Sequence, residues 1–171
     1  MRRSFRLLPL LAVVGCVPQA APPPAPAPVP VAPPPAAPAP LARDWRDWPV
    51  TPGDWTYRRD ARGTVAMFGP RGADAAMVLR CDAARRQMFV SFPGASATNA
   101  TVRTSSVARV LPLTPTGGTP PYVAAALAPT DSVLDAMAFS RGRFAVEGVG
   151  ATPLVAPAWA EIGRVVEDCR G

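Results

Sequence analysis

The chain has 171 residues, 18 basic and 12 acidic side chains, and no histidine. Every basic residue is an arginine, which excludes Ser-His-Asp and Cys-His catalysis, His-ligated metal sites, lysine Schiff bases and Ser-Lys dyads. Three arginines lie within the first six residues, leaving 15 scattered arginines against 12 acidic residues. Nucleic-acid binding is therefore not expected, because it requires a clustered basic face.

Residues 1–15 have the composition of a secretion signal. Arg2, Arg3 and Arg6 precede a short apolar run from Leu7 to Val14. A membrane-spanning helix needs roughly 20 apolar residues, and this run is much shorter. We therefore expect residues 1–15 to be a signal peptide.

The signal ends in Val13-Val14-Gly15-Cys16, which resembles the lipobox of bacterial lipoproteins. The resemblance implies that Cys16 becomes the first mature residue and carries several acyl chains, such as palmitate, which anchor more firmly than one chain. The alternative is an ordinary signal peptide with an incidental cysteine. Val17, rather than Asp, follows the cysteine, which favours a periplasm-facing anchor in the outer membrane over one in the inner membrane.

Residues 16–40 comprise this cysteine and a Pro/Ala-rich linker. Half of the 24 prolines lie between residues 18 and 40, where no residue is charged. The composition predicts a disordered or extended polyproline II stalk, up to roughly 75 Å long at ~3.1 Å per residue. We interpret it as a spacer that holds a domain away from the membrane, the alternative being a PxxP ligand for a partner.

Residues 41–171 are long enough for a single globular domain with its own core. Three Asp-Trp pairs with Pro49, Pro52 and Gly53 predict an irregular opening segment over residues 43–60. A hairpin is expected around Gly69-Pro-Arg-Gly72. Strands are predicted over residues 64–69, 75–81, 86–92, 100–106, 107–113, 122–128 and 143–148.

Two helices complete the predicted domain. The spacing of Ser132 and Asp135 fits a capping box and predicts a short helix over residues 131–139. Pro157 suits the first turn of a C-terminal helix, whose apolar stripe consists of Ile162, Val165, Val166 and Cys169. The fold class is therefore α+β: a mostly antiparallel β domain, sandwich- or barrel-like, with a short internal helix and a C-terminal helix packed on the sheet.

Assigning Cys16 to the lipid leaves Cys81 and Cys169 as a pair. Cys81 lies on the apolar side of its strand and Cys169 on the apolar stripe of its helix, so both face the same core. In an oxidising compartment this arrangement predicts a disulfide bond, the alternative being two free buried thiols.

Two groups of residues are candidates for binding. Trp45, Trp48 and Trp55 could form an aromatic platform for a glycan, or they could seal one edge of the core. Arg141 and Arg143 would project to the same side of a strand and could bind one anionic group, or they could be solvated and paired with nearby acids.

Paired carboxylates are the only remaining enzymatic option, as in glycoside hydrolysis. Asp131 and Asp135 lie on the short helix, where acids usually cap the helix or interact with its dipole. Glu167 and Asp168 are adjacent and therefore face different directions. We expect no catalytic residue, no metal and no cofactor.

Residues 60–150 resemble the invasion-associated locus B family of alphaproteobacterial exported proteins. The resemblance is carried by "LRC" at 79–81 and "LDAMAFSRGRFAVE" at 134–147. It implies a β-rich secreted domain with a disulfide and an envelope or host-interaction role.

Together, these patterns predict a lipid-anchored cell-envelope protein, with a non-enzymatic binding or structural module on a Pro-rich stalk. The expected partners are the membrane, through the lipid, and peptidoglycan or an envelope protein. The alternatives are a periplasmic hydrolase inhibitor, acting through the loop from Pro112 to Pro121, and a carboxylate-based enzyme acting on glycan.

Overall fold

The computed structural model describes residues 40–171. The predicted signal peptide, Cys16 and nearly all of the Pro/Ala-rich linker lie outside this range. A single turn of 3-10 helix, Trp45–Asp47, comes first in the described chain. It is followed by β1 Asp54–Asp60, β2 Gly63–Gly69, β3 Met77–Asp82, β4 Gln87–Pro93, β5 Thr98–Arg103, β6 Ala108–Pro115, β7 Tyr122–Leu127, α1 Ser132–Ala138, β8 Arg143–Glu147, β9 Leu154–Pro157 and α2 Ala160–Arg170.

The nine strands form one open antiparallel sheet in the order β1-β2-β3-β4-β7-β6-β5-β8-β9. Strand β6 joins its two halves. Residues 108–113 of β6 pair with β5, and the last two residues, Thr114 and Pro115, pair with β7. The predicted hairpin around Gly69 and Gly72 is confirmed, since β2 and β3 pair on either side of it.

Hydrogen bonds link the two ends of the strand order. Thr51, just before β1, donates its backbone N–H to the carbonyl of Val155 at 2.9 Å. Its hydroxyl accepts the N–H of Val155, also at 2.9 Å. The indole of Trp55 in β1 donates to the carbonyl of Pro157 at 2.8 Å. The sheet therefore curves until its first and last strands lie close together.

One apolar core collects buried side chains from all nine strands and both helices. Helix α2 packs across β1 to β4 and against α1. Its predicted stripe of Ile162, Val165, Val166 and Cys169 is buried. A smaller cluster of Trp48, Ala145 and Val155 lies apart from this core, with Trp45 packed against it. The predicted α+β class, with helices packed on a mostly antiparallel sheet, is confirmed.

Cys81 in β3 and Cys169 in α2 form a disulfide, with their Cα atoms 5.4 Å apart. The bond attaches the C-terminal helix to β3 and confirms the predicted pairing. Among residues 40–171, no helix is long and apolar enough to cross a membrane.

Three details differ from the predictions. Residues 54–60 are a strand rather than an irregular segment, because they pair with β2 along their whole length. Pro157 does not open α2; it ends β9 opposite Arg143, and the helix begins at Ala160. Helix α1 is capped by Asp131, whose carboxylate accepts the N–H of Val133 at 3.0 Å, and Ser132 is its first helical residue.

Candidate functional site: a groove on the outer face of the sheet

The outer face is the side of β1 to β4 and β7 that is turned away from α2. Strand register places two rows of side chains across it. One row contains Arg58, Val65, Arg80, Phe89 and Ala126, and the next contains Thr56, Met67, Val78, Ser91 and Ala124. Val65 is fully buried although it belongs to this face. Its row neighbours are Arg58 and Arg80, so their aliphatic stems are placed to cover it.

A groove of about 770 Å³ lies over this face. Its floor is made of small or apolar side chains from β3, β4 and β7: Val78, Phe89, Ser91, Ala124 and Ala126. The loop after β6 forms one wall, and four arginines line the opposite end. The volume falls in the range of about 300–1,000 Å³ that is usual for ligand sites.

The four arginines, Arg58, Arg62, Arg80 and Arg85, are called the arginine end. Asp60 and Asp82 lie beneath them, on the same face as Arg58 and Arg80 because residues i and i+2 of a strand project together. Four guanidiniums against two carboxylates leave two positive charges uncompensated within this group. No acidic residue is among the side chains that line the groove.

Asp60 is bound mainly by Arg80, whose two guanidinium nitrogens lie 3.0 and 2.8 Å from its two carboxylate oxygens. The backbone N–H of Arg62 also donates to this carboxylate at 3.0 Å. These two interactions, the Arg80 bond first, lower the pKa of Asp60 from 3.8 to about 2. Arg58 lies farther away, at 3.8 Å, and its side chain is 55% exposed.

Asp82 has the same role in the turn between β3 and β4. Its carboxylate accepts the backbone N–H of Arg85 at 3.2 Å. The guanidiniums of Arg62 and Arg85 lie 3.4 and 3.8 Å from it, with 60% and 70% of those side chains exposed. Each aspartate therefore closes the turn that follows its strand, and each turn presents an exposed arginine to the groove.

The loop wall, residues 116–121, is exposed throughout. It is held where it meets β7, because Thr116 hydrogen-bonds the carbonyl of Tyr122 through its N–H at 2.8 Å and its hydroxyl at 3.0 Å. The Tyr122 hydroxyl donates to the carbonyl of Ala75 at 2.6 Å. Burial, and then the charge of Asp74, raises the pKa of Tyr122, so it stays neutral.

The predicted tryptophan platform is not formed. Trp55 is 5% exposed and packs in the main core against Phe68, with ring centroids 5.3 Å apart. Trp48 is 8% exposed and belongs to the separate small cluster, where its indole donates to the carbonyl of Ala42 at 2.7 Å. Trp45 is half-buried beside it. These side chains seal apolar clusters, the alternative that the sequence left open.

Arg141 and Arg143 do not share a strand face. Gly142 between them has a φ of +77°, which interrupts the extended backbone that the i, i+2 argument requires. Arg143 begins β8, and its guanidinium donates to the carbonyl of Trp48 at 3.0 Å. Arg141 precedes the strand and is exposed.

The candidate catalytic carboxylates are each engaged in ion pairs, and none lines the groove. Asp131 pairs with Arg109 and Asp135 with Arg170, while Glu167 pairs with Arg170 and Asp168 with Arg59 and the Tyr57 hydroxyl. Within residues 40–171, no three His, Cys, Asp or Glu side chains come close enough to hold a metal ion.

Sequence reasoning missed the groove because it depends on strand register. A signal was present in the two repeats of Arg-x-Asp, at Arg58–Asp60 and Arg80–Asp82. Each repeat ends a strand and places both charges on one face. Without the pairing of β1, β2 and β3, nothing in the sequence shows that the two repeats are neighbours.

Comparison with protein families, curated proteins and solved structures finds no match for this chain.

Proposed function

We propose that this chain is a lipid-anchored cell-envelope protein whose β-rich domain is a non-enzymatic binding module that holds its partner in the outer-face groove. The observation that supports this is the arginine end, where two uncompensated positive charges open onto a groove of about 770 Å³ whose lining is part polar and part apolar. Charged and apolar surfaces that meet in one concave site are typical of ligand recognition.

The chemistry of the groove favours binding over catalysis. Its lining consists of arginines, hydroxyl side chains, one tyrosine, prolines and small or apolar residues. General acid–base catalysis needs a group whose pKa lies near the working pH, and a carboxylate pair needs two acids across a cleft. Asp60, the acid beneath the arginine end, has its pKa lowered to about 2 and stays ionised.

The anchor and the stalk complete the proposal. Lipidation of Cys16 would attach the chain to the envelope, with the outer membrane favoured, and the Pro/Ala-rich linker would let the domain reach components away from the bilayer. Peptidoglycan or an envelope protein is the expected partner. The Cys81–Cys169 disulfide fits an exported domain, because such bonds persist in oxidising compartments.

The binding role can be tested with residues 40–171, which contain the whole apolar core and the disulfide. This domain is incubated with intact peptidoglycan and, separately, with a membrane-free envelope extract, and its retention is measured. We expect retention that is lost in the double variant Arg58→Gln/Arg85→Gln and kept in Arg71→Gln. Arg71 is the matched control because its side chain is 87% exposed and lies outside the groove. Retention by neither material, or equal retention of all three proteins, would refute the proposal.

The anchor is tested separately in the full chain. Cys16→Ser should release the protein from the membrane fraction or leave it unprocessed. Unchanged membrane attachment and unchanged electrophoretic mobility would show that Cys16 is not lipidated.

A periplasmic hydrolase inhibitor is the second candidate function. Of the predicted loop from Pro112 to Pro121, residues 112–115 belong to β6 and residues 116–121 form an exposed loop. This candidate is favoured by that loop, which is held at its base by Thr116 and Tyr122, as an inserting loop requires. Replacing residues 117–119 with Ser-Gly-Ser should then abolish inhibition of peptidoglycan hydrolysis by a periplasmic extract. If the wild-type domain does not slow that hydrolysis, this candidate is wrong.

A further inference from the structure

We propose that the arginine end binds the carboxylate groups of an acidic polysaccharide whose sugar rings lie along the floor of the groove. This inference rests on the proposed binding function and assigns its ligand class. It depends on three features: guanidiniums whose N–H donors are only weakly engaged, a fixed pair of hairpin turns, and a shallow floor over strands that are paired on both sides.

The exposed arginines have hydrogen-bonding capacity left over. Asp60 is occupied by the paired bonds from Arg80 and by the backbone of Arg62. Arg58 therefore keeps only a 3.8 Å contact to Asp60. A guanidinium has five N–H donors arranged to grip a carboxylate with two parallel bonds. A bound carboxylate would thus gain stronger contacts than the long, exposed ones that it displaces.

Arg62 and Arg85 are similarly available. They share the single carboxylate of Asp82 at 3.4 and 3.8 Å, and 60% and 70% of their side chains are exposed. Together with Arg58 near the end of β1, they make three guanidiniums that can each donate hydrogen bonds to a ligand carboxylate. Several neighbouring cations suit a polymer with repeated negative charges better than a single small anion.

The turns that carry Arg62 and Arg85 are fixed before any ligand binds. The backbone N–H groups of Arg62 and Arg85 are each held by the aspartate that ends the preceding strand. Gly63 lies between the two turns, and a Cβ atom there would come within 2.5 Å of the carbonyl oxygen of Cys81. The close approach of the two turns therefore requires glycine, and it sets the spacing of the cations.

The floor favours sugar rings over a peptide. A peptide that adds to a sheet needs an unpaired strand edge, but the floor strands β3 and β4 pair with neighbours on both sides. A helical ligand needs deep apolar holes for its side chains, whereas Ala124, Ala126 and Ser91 make a shallow surface. Phe89, half-buried in the row of Arg80, offers an aromatic surface against which an apolar sugar face can pack.

Calorimetry of residues 40–171 with an oligogalacturonate long enough to span the groove tests the assignment. The same oligosaccharide with its carboxylates methyl-esterified is the neutral control, and a poly-glutamate peptide of equal charge is the peptide control. We expect the oligogalacturonate to bind, more weakly at high salt, and the ester and the peptide to bind at least about tenfold more weakly.

Variants assign the contacts. Arg58→Gln and Arg85→Gln should each weaken binding about tenfold, and Arg58→Lys should also weaken it because an ammonium cannot form paired bonds. Phe89→Ala should weaken binding of the oligosaccharide, and Arg71→Gln should leave it unchanged. Circular dichroism and thermal unfolding of each variant confirm that the fold is intact.

Equal binding of the acid and its ester would show that carboxylates are not recognised. Equal binding of poly-glutamate would show that the ligand is an acidic protein, and either result overturns the inference. If the domain is retained by peptidoglycan or extract through the groove but does not bind oligogalacturonate, the ligand class is wrong while the proposed binding function stands. Loss of both would refute both.

Discussion

Arg170 in the last turn of α2 donates two hydrogen bonds of 2.9 Å to the carboxylate of Asp135 in α1. The same guanidinium donates to the carbonyl of Pro129 at 3.1 Å and to Glu167 at 2.9 Å. The Asp135 bond is the main cause of the raised pKa of Arg170, so the charge of this residue is constant. One side chain thus joins both helices and the loop between β7 and α1.

Arg170→Gln should therefore lower the free energy of unfolding by about 1 kcal/mol, measured by urea denaturation. The variant removes both bonds from one guanidinium nitrogen to the Asp135 carboxylate and leaves the carbonyl of Pro129 without its donor. Arg46→Gln is the matched control, because Arg46 pairs with Asp44 at an exposed position, and it should change stability by less than about 0.5 kcal/mol. Equal effects would show that the Arg170 network does not join the helices.

The Cys81–Cys169 bond closes a loop with a sequence separation of 88 residues. In the chain-entropy account, such a cross-link stabilises the fold by roughly 4 kcal/mol, mainly by restricting the unfolded chain. The double variant Cys81→Ser/Cys169→Ser should lose about this amount in urea denaturation. A reducing agent should destabilise the wild type similarly and leave the double variant unaffected. A wild type insensitive to reduction would contradict this account.

Asp60 should make stability depend on pH in the acid range. Its pKa falls from 3.8, the value expected in the unfolded chain, to about 2 in the fold. A depressed carboxyl pKa contributes stability that is complete above the unfolded value and disappears as pH falls through the folded value. The stability difference between wild type and Asp60→Asn should thus narrow as pH falls from about 4 to about 2. A carboxyl NMR titration that places Asp60 near 3.8 would contradict the Arg80 pairing.

Gly63→Ala should destabilise the domain by about 2 kcal/mol or more in urea denaturation. Gly63 has a φ of +139°, and a Cβ atom there would lie 2.5 Å from the carbonyl oxygen of Cys81. Gly118→Ala is the control: a Cβ atom at that position would come no closer than 3.7 Å to a neighbouring atom, so stability should change by less than about 0.5 kcal/mol. Comparable losses would mean that the two hairpin turns need no close approach.

The disulfide was predictable because two local periodicities pointed to one core. Cys81 alternates with Met77 and Leu79 on a strand, and Cys169 closes a helical stripe, so each pattern determined which way its thiol faced. The positions of the tryptophans were not predictable in this way. Trp48 and Trp55 are separated by Pro49 and Pro52. Long-range contacts determine where each indole lies: Trp48 packs with Ala145 and Val155, and Trp55 donates to the carbonyl of Pro157.

Strands β1 and β9 were missed for a related reason. Residues 54–60 are mostly polar, because Arg58 on one face of β1 lines the groove and because β1 is an edge strand whose charged side chains are exposed. Strand β9 has only four residues and ends in Pro157, which by itself is more typical of a helix start. Both become strands through long-range pairing, β1 with β2 and β9 with β8. The groove depends on the pairing of β1 to β4 and β7, so its position could not be predicted from the sequence either.

The bonds between Thr51 and Val155 also bear on how this domain behaves when many copies are crowded together. The N–H and carbonyl of Val155 that face away from β8 are both used by Thr51. Pro157 has no N–H, and its carbonyl accepts the Trp55 indole. Exposed edges with free backbone groups promote aggregation by strand addition, and charged side chains oppose it. The backbone groups of the β9 edge are thus largely occupied, and the β1 edge carries Arg58 and Arg59. The domain is therefore protected against edge-to-edge aggregation at high local concentration.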